Sequence, residues 1–303
     1  MNEIENFKVV AVVVNWNGYR DTITCVNSLL NGTYPCKVVI VDNFSSDESV
    51  NEFKKINEWT GKVDIIESKV NGGCSAGNNL GIEYAIKMNA EFVLFNNNDA
   101  FMQPDALEKM METINSNDKI GLVAPLIMYY GTKTVWCAGC DLNKTIFKAK
   151  MLGMGKNEND FSKVQAINYA VGAVMLARTK AIIDAGRFDE ELFYYYEETE
   201  WQFDMKKKGY LFYLNPIAKV YHKVGSSSGG GRTPTSTYYL IRNRGYFIKK
   251  KAPTYLKPIA YLSLFLETGA RSIISIKENT KISKMAWVGL FDFLKGIKGK
   301  NPN

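Results

Sequence analysis

Histidine occurs once in this chain of 303 residues, and cysteine five times. An odd cysteine count argues against a complete disulfide framework. Cys137 and Cys140 form a C-x-x-C, but no second pair and no nearby histidine completes a zinc set. Both read as small buried hydrophobes. Long apolar runs are missing as well. A helix that spans a bilayer takes about 20 apolar residues, and PIAYLSLFL, the longest run near the C-terminus, falls well short. The opening segment MNEIENFKVVAVVVNWN lacks the basic region, apolar core and small-residue cleavage site of a signal peptide. These absences predict a cytoplasmic protein. Disorder is excluded too, because 46% of the residues are apolar. That supports one large domain with an appendage, or two small domains. There is no internal repeat.

Two nucleotide-binding signatures are also absent. Gly72 and Gly77 have Walker-type spacing, but Asn78 and Asn79 stand where the phosphate-reaching Lys and the Ser or Thr belong. The turn after the first apolar run, VNWNGYRD, has a single glycine and is no dinucleotide fingerprint. The glycine-rich turn NGGCSAGNN, with Asn71, Gly73, Gly77 and Asn78, still lets backbone N–H groups approach a diphosphate. It reads equally well as an ordinary strand-to-helix turn.

Charge is present but uneven. The net charge is +7, yet residues 242–303 hold thirteen Lys or Arg against three Asp or Glu. That region is therefore +10 and the rest −3. A basic tail suits nucleic acid, anionic lipid or a phosphorylated substrate, or is a solvated helix face. No nucleic-acid motif or aromatic-interleaved basic platform is found, so nucleic acid is not expected as a partner.

Periodicity organises the first hundred residues. KVVAVVVN, CKVVIVDN, VDIIES and EFVLF read as strands, with helices over 21–30, from Ser46 onward and over 76–88. This alternation predicts a parallel α/β sheet with right-handed crossovers, with ligands at the C-terminal strand ends. Beyond Gly121, the segments GLVAPLIMYY, TVWCAG, AINYAVGAVMLART, LFYLN and AKVYHKV read as further strands. Helices are expected over 178–185 and 198–208. The loop GSSSGGGRTPTS, residues 225–236, is flexible by composition. Residues 238–251 and 258–300 are helical in pattern.

Several polar residues fall at the predicted strand ends. FNNNDA leaves an apolar strand through Asn96, Asn97, Asn98 and Asp99. It is either a plain turn or a site where Asp99 meets a cation. Mg²⁺ and ions like it take oxygen ligands and often only one or two carboxylates, with phosphates completing the shell. Asp42 ends another strand, and Glu197, Glu198 and Glu200 cluster after an aromatic run. His222 precedes the flexible loop and is either structural or a nitrogen ligand for an ion such as Mn²⁺.

Together these segments resemble the family 2 glycosyltransferases of the GT-A fold, in particular a bacterial rhamnosyltransferase-like branch. The resemblance rests on the order and spacing of VVVNWNGYRDTITCVNSL, VIVDNFSSDES, NGGCSAGNNLGI, FNNNDAFMQPDAL, GRFDEELFYYYEETEWQFDMKKKGY, VYHKVGSSSGG and YYLIRNR. It implies a mixed α/β sheet flanked by helices, over residues 1–236. A donor half would cover 1–120 and an acceptor side 121–236. A basic, amphipathic helical region would follow over 237–303. Asp42 matches an acid that bonds the pyrimidine base, with Asn15 on the adjoining loop. Asn97, Asn98 and Asp99 match the D-x-D element, with Asn97 in place of its first acid. Asp99 and His222 match ligands to Mn²⁺ or Mg²⁺, Glu198 the catalytic base, and Arg242 and Asn243 a polar pair beside the donor phosphates.

The implied reaction is inverting transfer of a sugar from a dTDP- or UDP-sugar, with dTDP-L-rhamnose foremost, to a glycan or lipid-linked acceptor in cell-surface polysaccharide synthesis. Residues 225–236 would close over the donor. The C-terminal helices would dock peripherally at an anionic inner membrane face, or pack as a bundle or homodimer interface. The competing readings are a UDP-hexose-dependent enzyme of the same fold, a non-catalytic sugar-nucleotide-binding module and a sugar-1-phosphate nucleotidyltransferase. The last should carry a Gly-rich, Arg-containing turn where VNWNG stands.

Overall fold

The computed structural model describes residues 7–56, 59, 61–224, 233–278 and 280–301. Most of the 225–236 loop expected to close over the donor lies outside the described residues.

The chain opens as β1 (Val9–Asn15), α1 (Tyr19–Leu30), β2 (Lys37–Asp42), α2 (Ser49–Lys54), β3 (Val63–Glu67), α3 (Gly73–Lys87) and β4 (Phe92–Asn96). The four strands are parallel, in the order β3-β2-β1-β4. β1 shows why its sequence is apolar at every position before Asn15. Val9, Ala11 and Val13 enter a layer shared with Cys25, Val26 and Leu29 of α1, while Val10 and Val12 enter the opposite layer with Ile82 and Ala85 of α3. A strand covered on both faces loses the polar half of its alternation.

Next come β5 (Ala100–Met102), α4 (Ala106–Asn115), β6 (Ile120–Tyr129), β7 (Val135–Cys137), the hairpin β8 (Cys140–Asn143) and β9 (Lys148–Met151), β10 (Gln165–Ala166) and β11 (Val174–Arg178). They are followed by α5 (Thr179–Ala185), α6 (Glu197–Lys207) and β12 (Leu211–His222). The sheet extends in the order β10-β12-β6-β11-β4, and β11 runs antiparallel to both its neighbours. The sheet is therefore mixed, as the family resemblance implied.

Several elements differ from the sequence reading. AINYAVGAVMLART is not one strand: only Ala166 belongs to β10, β11 starts at Val174, and Ala170 between them bonds the carboxamide of Gln202 through both its N–H and its C=O. LFYLN and AKVYHKV are one strand, β12, interrupted by a bulge between Asn215 and Lys219. Pro216 sits in that bulge, where its missing N–H costs no ladder bond. β5 and α4 went unread, although α4 buries Ala106, Leu107, Met110, Met111 and Ile114 at helical spacing.

The C-terminal region forms α7 (Pro234–Lys251), α8 (Lys257–Glu278) and α9 (Thr280–Lys295). It builds a third apolar layer in which Ile241, Phe247, Leu264 and Leu290 pack with Phe147, Leu192 and Tyr196. α7 and α9 approach closely at Gly289, where a Cβ would stand 2.5 Å from the Tyr238 carbonyl oxygen. Among the described residues no helix is long and apolar enough to cross a membrane.

Candidate active site

Asn15 and Asp42 are register partners at the C-terminal ends of β1 and β2. Asn15 Nδ2 donates to Asp42 Oδ1 at 2.8 Å and to Ser45 Oγ at 3.1 Å. Ser45 donates to the same carboxylate, through its N–H to Oδ2 at 3.0 Å and its hydroxyl to Oδ1 at 2.6 Å. Both Asp42 oxygens are thus occupied in shaping the loop after β2. From Asn15 the chain of bonds continues. Thr22 Oγ1 donates to Asn15 Oδ1 at 2.7 Å, and Asn98 Nδ2 donates to Thr22 Oγ1 at 3.1 Å. Thr22 and Ser45 were not among the sequence candidates; single hydroxyl residues carry no pattern. Two aromatic side chains stand exposed on these same loops, Trp16 and Phe44.

FNNNDA resolves into unlike parts. Asn96 is a strut, its Nδ2 donating to the carbonyls of Asn97 and Ala100, both at 2.9 Å. Ala100 N–H closes a turn on Asn97 C=O at 3.0 Å. Asn97 is exposed and Asn98 buried. Asp99 is buried, with Oδ1 2.9 Å from His222 Nε2. The pairing follows from register, since Ala100 of β5 sits opposite His222 of β12. The Trp136 ring meets the His222 ring edge-on at 4.5 Å.

The glycine-rich turn serves packing. Gly73 has φ +77°, and a Cβ there would stand 2.1 Å from the Phe193 carbonyl oxygen. Cys74 N–H donates to that same oxygen at 2.8 Å. A Cβ at Gly77 would stand 2.7 Å from Val14 Cγ1, so this glycine lets α3 lie on β1 and does not open onto a diphosphate as expected. Asn71 accepts from Asn43 Nδ2 at 3.1 Å and from Gly73 N–H at 3.0 Å, which braces the turn. Asn78 is partly buried on α3.

The acid cluster opens α6. Its approach is strained, with φ of +67° at Phe193, +66° at Tyr195 and +71° at Tyr196. Side chains pay for such backbone with about 1–3 kcal/mol per residue unless the surroundings enforce it. Here Asn243 and Arg242 enforce it. Asn243 Nδ2 donates to the carbonyls of Leu192, Tyr194 and Tyr195, each at 2.8 Å. Arg242 donates to Leu192 O at 3.0 Å, to Gly299 O at 2.7 Å and to Asn243 Oδ1 at 2.8 Å. Both side chains are fully buried. In place of the phosphate contact expected of this pair, their donors are taken up by the carbonyls of the α6 approach, by Gly299 O and by Asn243 Oδ1.

The three acids then diverge. Glu198 is partly buried and accepts from the Tyr169 hydroxyl at 3.2 Å, and Tyr169 itself accepts from Thr199 at 2.9 Å. Glu200 turns to α7, 3.2 Å from Lys251 Nζ and 3.7 Å from Lys250 Nζ. Burial raises the proton affinity of Glu197 well above the carboxylate range, and the charge of Glu198 adds to it. Burial raises Glu198 as well. The Cys74 thiol, at the head of α3, is pushed up by burial and by the charges of Glu197, Glu198 and Asp99. One side chain thus lies in the field of both the acid cluster and the Asp99–His222 pair.

Among the described residues no group of three or more His, Cys, Asp or Glu is arranged to hold a metal. Asp99 and His222 offer two donors, one oxygen and one imidazole nitrogen. Mn²⁺ or Mg²⁺ commonly binds with that few protein ligands when phosphate and water supply the rest, so the residues fit such an ion.

A description of this kind matches known proteins. The chain is 23% identical over 301 residues to the dTDP-rhamnosyl transferase RfbF of Shigella flexneri, a match that covers 97% of this chain and 98% of the relative. Its fold is similar to that of GalNAc-T7 with UDP, GalNAc and Mn²⁺, at TM-score 0.65 and 15% identity, over 96% of this chain and 56% of that one. This chain thus spans little more than half the length of GalNAc-T7. It is also similar to the mannosyltransferase PcManGT of Pyrobaculum calidifontis with GDP-Man and Mn²⁺, at TM-score 0.60 and 15% identity, over 95% and 87% of the two chains. These structures share the GT-A fold that the motifs implied. The sequence model of glycosyl transferase family 2 matches residues 10–183, from β1 into α5. With more than half its length in that match, the chain belongs to glycosyl transferase family 2.

Proposed function

We propose that this protein is an inverting, metal-dependent glycosyltransferase that moves a sugar from a nucleoside diphosphate donor to a hydroxyl of a glycan or lipid-linked acceptor. Cell-surface polysaccharide synthesis is the setting such acceptors suggest. dTDP-L-rhamnose is the first donor to test, given the S. flexneri relative; a UDP-hexose is the second. The observation that carries this reading is the pairing of Asp99 Oδ1 with His222 Nε2 at 2.9 Å in a chain of glycosyl transferase family 2.

Glu198 acts as the base. It takes the proton from the acceptor hydroxyl as that oxygen attacks the anomeric carbon. The bond from that carbon to the diphosphate oxygen breaks, and its electron pair leaves with the diphosphate. A carboxylate with raised proton affinity is a stronger base at neutral pH, and such transfer contributes typically about 10²–10⁴-fold. Tyr169 orients Glu198. Arg242 and Asn243 hold the turn that delivers it. A Mn²⁺ or Mg²⁺ ion at Asp99 and His222 would neutralise charge on the departing nucleoside diphosphate. Asp42, Asn15 and Ser45 hold the loops that carry Trp16 and Phe44, whose exposed rings offer flat faces to a nucleobase. Residues 1–236 form the catalytic unit in this reading, with the donor half ahead of residue 120.

The test is direct. Thermal-shift measurements with dTDP-L-rhamnose and UDP-hexoses, each with Mn²⁺ or Mg²⁺, identify the donor, because binding raises stability by mass action. Incubation with acceptor should then release nucleoside diphosphate and form a product of inverted anomeric configuration. Release of pyrophosphate would point to a nucleotidyltransferase. Binding without turnover on any acceptor would make this a non-catalytic module. Retained configuration would remove Glu198 as the base in a single displacement.

A further inference from the structure

Between residues 259 and 273, helix α8 turns a face to solvent that contains no charge. Every exposed residue between 259 and 273 is apolar, among them Ile259, Leu262, Phe265, Leu266 and Ile273. The two charged residues of that span point inward. Glu267 binds Arg271 at 2.6 Å, Arg244 at 2.5 Å and Lys148 at 3.1 Å. The hydroxyls are turned away as well. Ser263 accepts from Arg244 at 3.0 Å, while Thr268 and Ser272 each bond a carbonyl one turn back at 2.9 Å. The helix therefore orders its polar groups toward the protein and its apolar groups toward the outside, the reverse of a solvated helix.

The face continues onto α9. Phe265 meets Trp287 at 5.6 Å, and Trp287 meets Phe291 at 6.0 Å. Leu294 extends the same helix outward and is 67% exposed. Contiguous exposed apolar surface of this kind marks an interaction site. Three occupants are conceivable, and charge decides between them. Lysines flank α8 at both ends. Lys249 stands exposed before it, Lys257 opens it, and Lys284 follows it, exposed, on α9. Two copies joined through this face would set like charges together at each end, whether the helices ran parallel or antiparallel, and like charges so placed repel. A neutral apolar partner would leave the lysines without complement. A layer with negative headgroups above an apolar interior meets both features. No described helix is long and apolar enough to cross such a layer, so the helix lies in its plane, with the Trp287 ring at headgroup depth.

We infer that the outer face of α8 and α9 docks this protein on an anionic lipid surface. The inference does not depend on the proposed chemistry, though a lipid-linked acceptor would be concentrated by it. The test uses the full chain and vesicles of phosphatidylcholine alone or with 30% phosphatidylglycerol. The protein should sediment with the anionic vesicles, less with the neutral ones, and progressively less as salt rises. L262E with L266E puts charge on two exposed positions without touching the core. It should weaken vesicle binding by at least about tenfold, with thermal unfolding and nucleoside diphosphate binding unchanged. Equal sedimentation with both vesicle types would overturn the proposal. So would anionic binding that the double variant leaves intact, which would place the contact elsewhere. A stable dimer in analytical ultracentrifugation, lost in the double variant and with no vesicle binding, would assign the face to a second copy.

Discussion

The imidazole of His222 and the carboxylate of Asp99 meet at 2.9 Å across 123 residues of sequence. Both are almost fully buried, and the register of β5 against β12 sets them together. In the proposed reaction this pair is the protein's share of a cation site. Asp99→Ala should therefore reduce Mn²⁺-dependent binding of a nucleoside diphosphate by at least about 10–100-fold, the loss seen when only a ligand's supporting partner is removed. Binding of the nucleotide without metal should persist. Calorimetry with and without Mn²⁺ separates the two, and unchanged metal-dependent affinity would return FNNNDA to a simple turn.

Glu198→Gln keeps shape and hydrogen-bonding reach but cannot accept the proton. Turnover should fall by about 10²–10⁴-fold, while donor and metal binding stay near wild type. Glu200→Gln should not do this, since Glu200 faces Lys250 and Lys251. The measurement is kcat at saturating donor with the true acceptor. A Glu198→Gln rate near wild type would move the base elsewhere.

Asn243→Ala removes three bonds to the carbonyls of Leu192, Tyr194 and Tyr195. Each lost bond to a buried carbonyl costs about 1–3 kcal/mol, so a clear drop in Tm is expected. The sharper expectation concerns kinetics. The turn at 193–196 aims α6, and a shift near 1 Å in a reacting group is enough to cost about 10²-fold. kcat should drop more than the KM for donor changes. If kcat stays intact in protein that is still folded, Asn243 is structural only.

The burial of Glu197 has a consequence for stability. Its proton affinity is raised in the folded state, so the folded protein binds more protons than the unfolded chain above the ordinary carboxylate range. Stability then falls as pH rises from near 4.5 through the raised value, and levels off beyond it. Glu197→Gln removes this loss. The variant should melt higher than wild type at pH 8 and show little advantage near pH 4.5. A gap in Tm that is constant with pH would show that Glu197 does not titrate in this way.

Trp16→Ala should weaken nucleotide binding if its exposed ring carries the base. Stacking of a base on an aromatic side chain is worth about 1–3 kcal/mol, or roughly 5–100-fold in affinity. Because Trp16 is exposed, melting temperature should barely change. Equal affinity for the nucleoside diphosphate in variant and wild type would exclude the ring.

The parallel half of the sheet was legible in the sequence, and so was the GT-A fold, through its motifs. Runs such as KVVAVVVN can be stable only between two apolar layers, and their spacing by helices leaves parallel strands. Strand ends then located VNWNG, VDNFSSD and FNNNDA on one edge. The mixed half was less legible. β5 and β10 are three and two residues long, too short to show alternation. β11 is placed by its antiparallel neighbours, not by its own pattern.

The sequence by itself therefore determined which residues could serve chemistry: one histidine, a few acids and a basic tail, set on particular loops. Only the tertiary structure decided which of them meet. Asp99 reaches His222 because a three-residue strand registers against β12. Arg242 and Asn243 match a phosphate pair by family resemblance, yet in space they hold backbone carbonyls. Glu197, Glu198 and Glu200 are neighbours in sequence, but the first is buried, the second meets a tyrosine and the third two lysines. The physical reason is common to all three cases. Periodicity reports which side of an element avoids water, whereas proton affinity, ligation and hydrogen bonding depend on what another element brings against that side.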